Sequence, residues 1–271
     1  LLSQRIKDKL VLGLVGKYLR AGIMIKGVVS RNEEGTQQGS PLSPLLSNIV
    51  LDVLDKELEQ RGHSFVRYAD DFSIYCTSQR GAERALLSIG TFIEEQLHLK
   101  INESKSGIRR PSRMILLGFG FHVKSKGVWG IRIAPKSISR LKEKVKVLTQ
   151  RRITLNTPQR IERLNSVLQG WFHYFKIADC QSHLGAIDKW TRARLRMCEW
   201  KLWKRVRTRY KRLKSFGIQH SQALEWANTR KGHWRTAHSP ILCRTLSNKW
   251  IKQQGYVPLS ELYKRYKERS Q

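Results

Sequence analysis

Two adjacent aspartates, Asp70 and Asp71, interrupt a strand-like apolar stretch that reads FVRYADDFSIYC over residues 65–76. The apolar runs on each side predict two short strands, with the aspartates at the turn between them. Neighbouring carboxylates repel each other, and a divalent cation between them removes the repulsion. Mg²⁺ suits such oxygen ligands and is usually held by one or two carboxylates plus substrate phosphates. A purely structural turn is the alternative, because Asp is common in turns.

The positive charge of the chain is large and unevenly distributed. The 52 Lys and Arg against 21 Asp and Glu give a net charge of +31. Residues 1–110 hold 16 basic and 13 acidic residues, whereas residues 111–271 hold 36 and 8, together with all eight tryptophans. A basic, Trp-rich half indicates a polyanionic partner, most commonly nucleic acid. With such a partner, two metal ions held by carboxylates would carry out phosphoryl transfer.

The cysteines and the apolar runs exclude several classes of protein. Cys76, Cys180, Cys198 and Cys243 are far apart and form no Cys-x-x-Cys pair, so neither a zinc knuckle nor a disulfide framework is indicated. No apolar run reaches the roughly 18 residues that a membrane span needs. The chain starts LLSQRIKDKL, without Met, which predicts a portion of a longer protein.

The apolar pattern also predicts the elements that would position the aspartates. Helices are expected over residues 5–21, 44–61, 81–97, 137–150, 157–176 and 184–213, and further strands within 22–34, 97–102 and 114–123. Thr157 suits a helix N-cap and Pro158 a first turn. Trp171, Phe172 and Phe175 recur at helical spacing, which favours core packing over base stacking.

The four residues Tyr68-Ala69-Asp70-Asp71 resemble the YADD box of reverse transcriptases encoded by group II introns. Other stretches follow in the order of that family: GTQQGSPLSPLLSNI at 35–49, LHLKINESKS at 97–106 and LLGFGF at 116–121. LNSVLQGWFHYFK at 164–176 is similar to the maturase, or thumb, domain of these proteins. The resemblance covers essentially the whole chain. The set of motifs in this order is more specific to the family than YADD alone.

The resemblance implies an α+β fold. It implies a partial right-hand polymerase palm, an antiparallel sheet with helices, in a fingers/palm domain over residues 1–123. An all-helical thumb/maturase domain over residues 136–214 would follow, and then a basic nucleic-acid-binding tail over residues 215–271.

The resemblance also assigns polymerase roles to single residues. Asp70 and Asp71 would be catalytic and hold two Mg²⁺ ions. Gln38 and Gly39 would lie beside the nucleotide and template, and Lys105 would approach the triphosphate.

Ordinary loop positions are the alternatives for Gln38 and Lys105. Gly118 and Phe119 would form the primer grip, although a plain core strand is nearly as well supported. Arg67 fits either a phosphate contact or a solvent-facing strand position.

The chain departs from the family pattern in its acidic residues. The family uses three carboxylates, and the third would lie on a strand upstream of Leu1. Asp8 is the only acidic residue near that end, and its IKDK context does not fit. We therefore expect little polymerase activity from the chain alone. The family's endonuclease domain has no counterpart here, since His220, His233 and His238 lack metal-ligand spacing.

The basic run KLWKRVRTRYKRLK, residues 201–214, is the expected RNA contact, and a solvated helix face is the alternative. Its candidate RNA-binding residues are Lys201, Lys204, Arg205, Arg207, Arg209, Lys211 and Arg212.

The function implied by the resemblance is that of an RNA-directed DNA polymerase and intron maturase. The parent protein would bind group II intron RNA, promote splicing and copy the intron during retrohoming. Its partners would be the intron RNA, a DNA target, an RNA template with a DNA primer, and dNTPs, but no membrane. It would act in the cytoplasm of a prokaryote, within a ribonucleoprotein. The alternatives are a splicing factor without polymerase activity, or a reverse transcriptase recruited to defence or CRISPR spacer capture.

Overall fold

A computed structural model describes residues 1–21, 23–25, 28–30, 41–125 and 127–270, with backbone alone at 23–25 and 28–30. The chain divides into two compact units, Leu1–Arg109 and Arg110–Gln271. Helices combine with small antiparallel sheets, so the expected α+β class is confirmed at that level. None of the helices in the described ranges is long and apolar enough to cross a membrane.

The first unit alternates helices with two β-hairpins. Its elements are α1 (Leu2–Arg5), α2 (Lys9–Arg20), β1 (Ile23–Ile25), β2 (Val28–Ser30), α3 (Ser43–Gln60), β3 (Ser64–Tyr68), β4 (Asp71–Tyr75) and α4 (Gln79–Glu95). Strand β1 pairs with β2 and β3 with β4, both antiparallel. The core forms between α3 and α4, where Leu54, Leu58 and Ile89 are almost completely buried. Phe65, Phe72 and Ile74 of the second hairpin pack against it.

Two predictions in this unit were wrong in detail. The helix expected over residues 5–21 is interrupted, because the Asp8 carboxylate accepts hydrogen bonds from Leu10 N and Val11 N and caps α2. The strand expected at 97–102 is absent. There, Leu99 N donates to Ile93 O, so this backbone closes the end of α4 instead of pairing with a strand.

The second unit begins with a three-stranded sheet and continues as helices. Its elements are β5 (Ile115–Leu116), β6 (Phe119–Ser125), β7 (Val128–Ile133), α5 (Pro135–Leu148), α6 (Thr157–Phe175), α7 (Gln181–Leu202), α8 (Val206–Ser215), α9 (His220–Ala227), α10 (His233–Ala237), α11 (Pro240–Thr245), α12 (Asn248–Gln253) and α13 (Leu259–Ser270). The strand order is β5-β6-β7, all antiparallel.

The expected core face of α6 is confirmed. Leu164, Leu168, Phe172 and Phe175 are buried, and Trp171 packs against the same cluster half-buried. The N-cap, however, is Asn156, whose side chain accepts from Gln159 N. The hydroxyl of Thr157 donates to Glu199 instead.

The single helix expected over residues 184–213 is two helices. Helix α7 ends at Leu202, and α8 starts at Val206 after an extended Arg205. Trp203 lies at the break, is buried, and packs with Trp200 and Phe216. The break between the two helices coincides with burial of this indole rather than with a Pro or Gly.

The C-terminal helix α13 is anchored to the centre of the second unit. The buried Asp188 carboxylate on α7 accepts hydrogen bonds from Leu259 N, Ser260 N, Ser260 Oγ and Tyr256 Oη. It therefore caps the N-terminus of α13 from a distant part of the chain. Tyr256, Leu259 and Tyr263 join the same core as α6.

Candidate active site and nucleic-acid interface

Asp70 and Asp71 lie at the tip of the β3–β4 hairpin. Tyr68 pairs with Asp71, which leaves Ala69 and Asp70 as a two-residue turn. Both aspartates are exposed, and no hydrogen bond or ion pair within the described ranges engages either carboxylate. The hairpin thus presents two acceptor-only groups to solvent, as the sequence predicted.

Ala69 has a backbone conformation that is unusual for a residue with a side chain. Its φ is +55°, in the left-handed region that glycine occupies freely. For other residues this region costs of order 1 kcal/mol or more, and such residues concentrate at functional sites. The turn that carries the aspartates is therefore held in a strained conformation by its surroundings.

Arg67 is the residue that ties this turn to helix α3. Its Nε and Nη2 donate to Asp55 Oδ1 and Oδ2 at 2.7 and 2.5 Å. Its Nη1 donates to Asn48 Oδ1 and to the Ala69 carbonyl, both at 2.9 Å. The hydrogen bonds to Asp55 raise the pKa of the guanidinium. The solvent-facing interpretation of Arg67 was wrong, because its side chain is only 14% exposed and its guanidinium is bonded within the protein. The phosphate contact stays a prediction.

The aspartate pair has the right chemistry for Mg²⁺. Exposed, unpaired carboxylates supply the hard oxygen ligands that this ion takes together with phosphate oxygens. No cluster of three or more His, Cys, Asp or Glu that could bind a metal occurs in the described part of the chain. Asp8 is occupied in capping α2, which agrees with leaving it out of the site.

The structure provides less information about the other polymerase residues predicted in this part of the chain. Gln38 and Gly39 lie outside the described residues. Lys105 is exposed in a turn, where its backbone N–H donates to Asn102 O.

Gly118 and Phe119 belong to the β5–β6 hairpin of the second unit. Leu117 and Gly118 form its turn, with φ of +52° and +82°. A Cβ on Gly118 would lie 2.8 Å from Ser137 Oγ, so this position requires glycine for both backbone and space. The Phe119 ring is half-buried and stacks on Tyr174, at 5.4 Å between centroids. Leu117 is the exposed side chain of the turn.

The residues predicted to bind RNA differ in their accessibility. Six of them are exposed, namely Lys201, Lys204, Arg205, Arg207, Lys211 and Arg212. Arg209 instead donates to Trp203 O at 3.0 Å, and its guanidinium lies 4.7 Å from the centroid of the Trp200 ring. Arg209 therefore stabilises the α7–α8 junction from within.

A groove of about 980 Å³ in the second unit was not predicted from the sequence. It is lined by α5, the α5–α6 loop, α7 and the start of α10, and it includes Arg151, Arg152, Trp190, Arg194 and Trp234. The Arg151-Arg152 pair shortly after α5, and Trp190 followed four residues later by Arg194, are the sequence signals that could have pointed to it.

Comparison with known protein families identifies both units. A family model for reverse transcriptase (RNA-dependent DNA polymerase) matches residues 5–121. A second model, for the group II intron maturase-specific domain, matches residues 138–217. The chain belongs to the group II intron reverse transcriptase/maturase family. The aspartate hairpin lies inside the first match, and α5 to α8 account for most of the second.

Several relatives of this reverse transcriptase/maturase are intron proteins. A COX1/OXI3 intron 2 protein of Saccharomyces cerevisiae is 30% identical, covering 45% of this chain and 21% of the yeast protein. A group II intron-encoded protein of Lactococcus lactis subsp. cremoris is 40% identical, covering 25% of this chain and 11% of that protein. Protein YkfC of Escherichia coli is 28% identical, covering 39% and 36%. The reverse transcriptase/maturase chain thus spans well under two thirds of each relative's length.

Proposed function

We propose that the parent protein of this chain is an RNA-directed DNA polymerase and maturase, and that Asp70 and Asp71 belong to its polymerase site. One observation carries the proposal: the only carboxylates at the tip of the β3–β4 hairpin are exposed, adjacent and unpaired, and they lie within the reverse transcriptase match. Two adjacent carboxylates repel each other, and bound cations relieve that repulsion.

Nucleotidyl transfer needs the charge of the triphosphate to be offset and the primer hydroxyl to be aligned. When bound, Mg²⁺ would activate the attacking hydroxyl and stabilise the leaving pyrophosphate. Asp70 and Asp71 would hold the ions, and Arg67 would keep their turn in place without competing for phosphate. Lys105 would offset triphosphate charge, and Gln38 with Gly39 would lie beside the nucleotide.

The domain assignment forms part of the proposal. Residues 1–123 would be fingers/palm, residues 136–214 the thumb/maturase domain, and residues 215–271 a nucleic-acid-binding tail. The tight β5–β6 turn, with Gly118 and Phe119, would act as the primer grip. Its backbone and the exposed Leu117 are the groups that could approach a primer strand.

The second half would bind intron RNA for splicing and retrohoming. Exposed cations of the basic run displace counterions from phosphates, so the affinity should fall steeply with salt. The same protein would contact the DNA target, the template with its primer and dNTPs, and would work within a cytoplasmic ribonucleoprotein of a prokaryote.

Primer extension on an RNA template with Mg²⁺ tests the polymerase assignment. The protein should be expressed from its natural reading frame, including any residues encoded upstream of Leu1, and compared with an Asp70→Asn, Asp71→Asn variant. Extension should fall by roughly two orders of magnitude or more. The matched control is Glu94→Gln, Glu95→Gln, an adjacent pair of exposed acids on α4 of the same unit.

The outcomes separate the proposal from its alternatives. Equal extension by the aspartate variant would remove Asp70 and Asp71 from the site. Absence of extension in the unmutated protein, together with tight and salt-sensitive RNA binding, would favour a splicing factor without polymerase activity.

A further inference from the structure

The groove introduced above combines positive charge with aromatic surface. Lys146, Arg151, Arg152, Arg194 and Arg235 contribute five cationic side chains, and no Asp or Glu lines the groove. Lys146, Arg151, Arg152 and Arg235 are exposed, so their charges are available to a ligand. This charge pattern is complementary to a chain of phosphates.

Its aromatic side is provided by two tryptophans joined through Arg194. The Arg194 guanidinium lies 5.4 Å from the centroid of the Trp190 ring and 6.0 Å from that of Trp234. Trp190 is half-buried, whereas Trp234 is 41% exposed. His238 also contacts Trp234 edge to face, at 4.6 Å between ring centroids, and the exposed part of the indole offers a stacking platform for a base.

Arg160 holds the α5–α6 loop, which carries Arg151 and Arg152, in a fixed conformation. This residue is only 2% exposed, and its guanidinium donates to the carbonyls of Leu148, Gln150, Ile153 and Leu155. These acceptors flank Arg151 and Arg152 on both sides. The loop is therefore preorganised, and a ligand need not supply the cost of ordering it.

His233 contributes a polar contact rather than charge. Its Nδ1 lies 3.3 Å from Arg151 Nη1, and since a guanidinium can only donate, the imidazole nitrogen accepts. Burial, together with the nearby cations Arg151, Lys201 and Arg209, lowers its pKa. The contact fixes one nitrogen of Arg151 within the lining of the groove.

The geometry points to this groove as a binding site for an unpaired nucleotide of a single-stranded nucleic acid. Its base would stack on Trp234, and its phosphates would be held by Arg151 and Arg152. A duplex keeps its bases stacked on each other, so it could use the cations but not the indole. The inference rests on the proposed function only in taking nucleic acid as the ligand, and the residues that line the groove include none from the aspartate hairpin or from the basic run at 201–214.

Fluorescence anisotropy with labelled oligonucleotides tests the site. The probes are a short unstructured RNA, the same sequence as DNA, a blunt RNA duplex, and an abasic strand that keeps the phosphodiester backbone. Trp234→Ala should weaken binding of the two base-bearing single strands about tenfold. It should leave the abasic strand and the duplex nearly unchanged, a difference that general unfolding would not produce.

Each control variant replaces residues of the same type and of similar solvent exposure to those tested in the groove. Trp129→Ala removes an indole that is 48% exposed on β7 of the same unit, and it should change no affinity by more than about twofold. Arg151→Gln, Arg152→Gln should reduce the slope of log affinity against log salt by roughly 1.4 for single strands. Arg80→Gln, Arg84→Gln, two exposed arginines of α4, should leave that slope in place.

Two results would overturn the inference. The first is equal affinity of Trp234→Ala and Trp129→Ala for every probe. The second is an equal change of salt slope in both arginine pairs, which would mean diffuse binding over the basic surface. Neither result bears on primer extension, so the polymerase proposal would stand or fall separately. A preference for the RNA or the DNA strand tells which nucleic acid the groove takes.

Discussion

The guanidinium of Arg67 grips both oxygens of the Asp55 carboxylate, 2.7 and 2.5 Å away. The pair is largely shielded, with side-chain exposures of 14% and 24%. Because Arg67 also binds the Ala69 carbonyl, the ion pair sets the position of the turn next to Asp70. An arginine close to Asp70 and Asp71 is thus neutralised within the protein and acts as a positioning residue.

Replacing Arg67 with Met should destabilise the first unit by about 3 kcal/mol, because Asp55 would keep a shielded charge without a partner. Urea unfolding measures this free energy. Asp55→Asn should cost less than Arg67→Met, and the double variant should lose less than the two single losses added together, since the pair is one interaction.

Arg80→Met, at an exposed position in the first turn of α4, is the control. Its free energy of unfolding should stay within about 0.5 kcal/mol of that of the unmutated protein. Primer extension by Arg67→Lys gives the functional readout. An Arg67→Lys variant that folds normally but extends the primer poorly would show that the bidentate contact positions the turn. Full activity in Arg67→Met would contradict the positioning role.

Ala69→Gly should stabilise the hairpin by about 0.5–1 kcal/mol, because glycine adopts the positive φ of this position without steric cost. Thermal or urea unfolding checks the sign. The opposite sign is expected for Ala82→Gly in helix α4, where glycine costs roughly 0.5–1 kcal/mol. Destabilisation by both substitutions would mean that the strain at Ala69 is absent in solution.

The aspartate hairpin and the α6 core face could be predicted from sequence, because each rests on a local repeat of apolar residues. The absent strand at 97–102 could not be excluded, since pairing depends on partners that are remote in sequence. The helix break after Leu202 coincides with burial of Trp203. No Pro or Gly at this point of the sequence indicates the break. The groove was missed because it joins residues far apart, such as Arg151 and His233, which are 82 positions apart.

The stability of the second unit should fall in alkaline solution through Tyr256. Burial, with the Asp188 carboxylate beside it, raises the pKa of this phenol well above its ordinary value. The unfolded chain loses the proton near pH 10, whereas the folded chain retains it. The stabilisation is therefore complete below pH 10 and is lost progressively as the pH rises towards the folded-state value.

Melting temperatures of the unmutated protein and Tyr256→Phe, measured between about pH 8 and 11, test this linkage. The phenylalanine variant should melt lower at pH 8, because the hydrogen bond to Asp188 is lost. The gap should narrow above about pH 10. A gap that keeps its size over the whole range would contradict a raised pKa.

The four cysteines should react in two classes. Cys76 and Cys243 are exposed, whereas Cys180 and Cys198 are buried. Burial raises the pKa of the Cys180 thiol to about 11. Burial also raises the pKa of the Cys198 thiol, so little thiolate forms at either site at neutral pH. A colour-forming disulfide reagent at pH 8 should titrate two thiols quickly in the native protein and all four in denaturant.

Cys76→Ser and Cys243→Ser should each remove one fast-reacting thiol and leave the slow class intact. A third fast thiol in the native protein would show that the core around α7 opens readily, contrary to the burial of Cys180 and Cys198.

The cap that Asp188 places on α13 links positions 71 residues apart. During synthesis, α6 and α7 emerge from the ribosome well before Tyr256, Leu259 and Tyr263, which share their core. Until those residues appear, the Asp188 carboxylate lacks these donors, and the part of the core that Tyr256, Leu259 and Tyr263 fill stays open. The maturase core can therefore reach its final structure only after α13 has been synthesised.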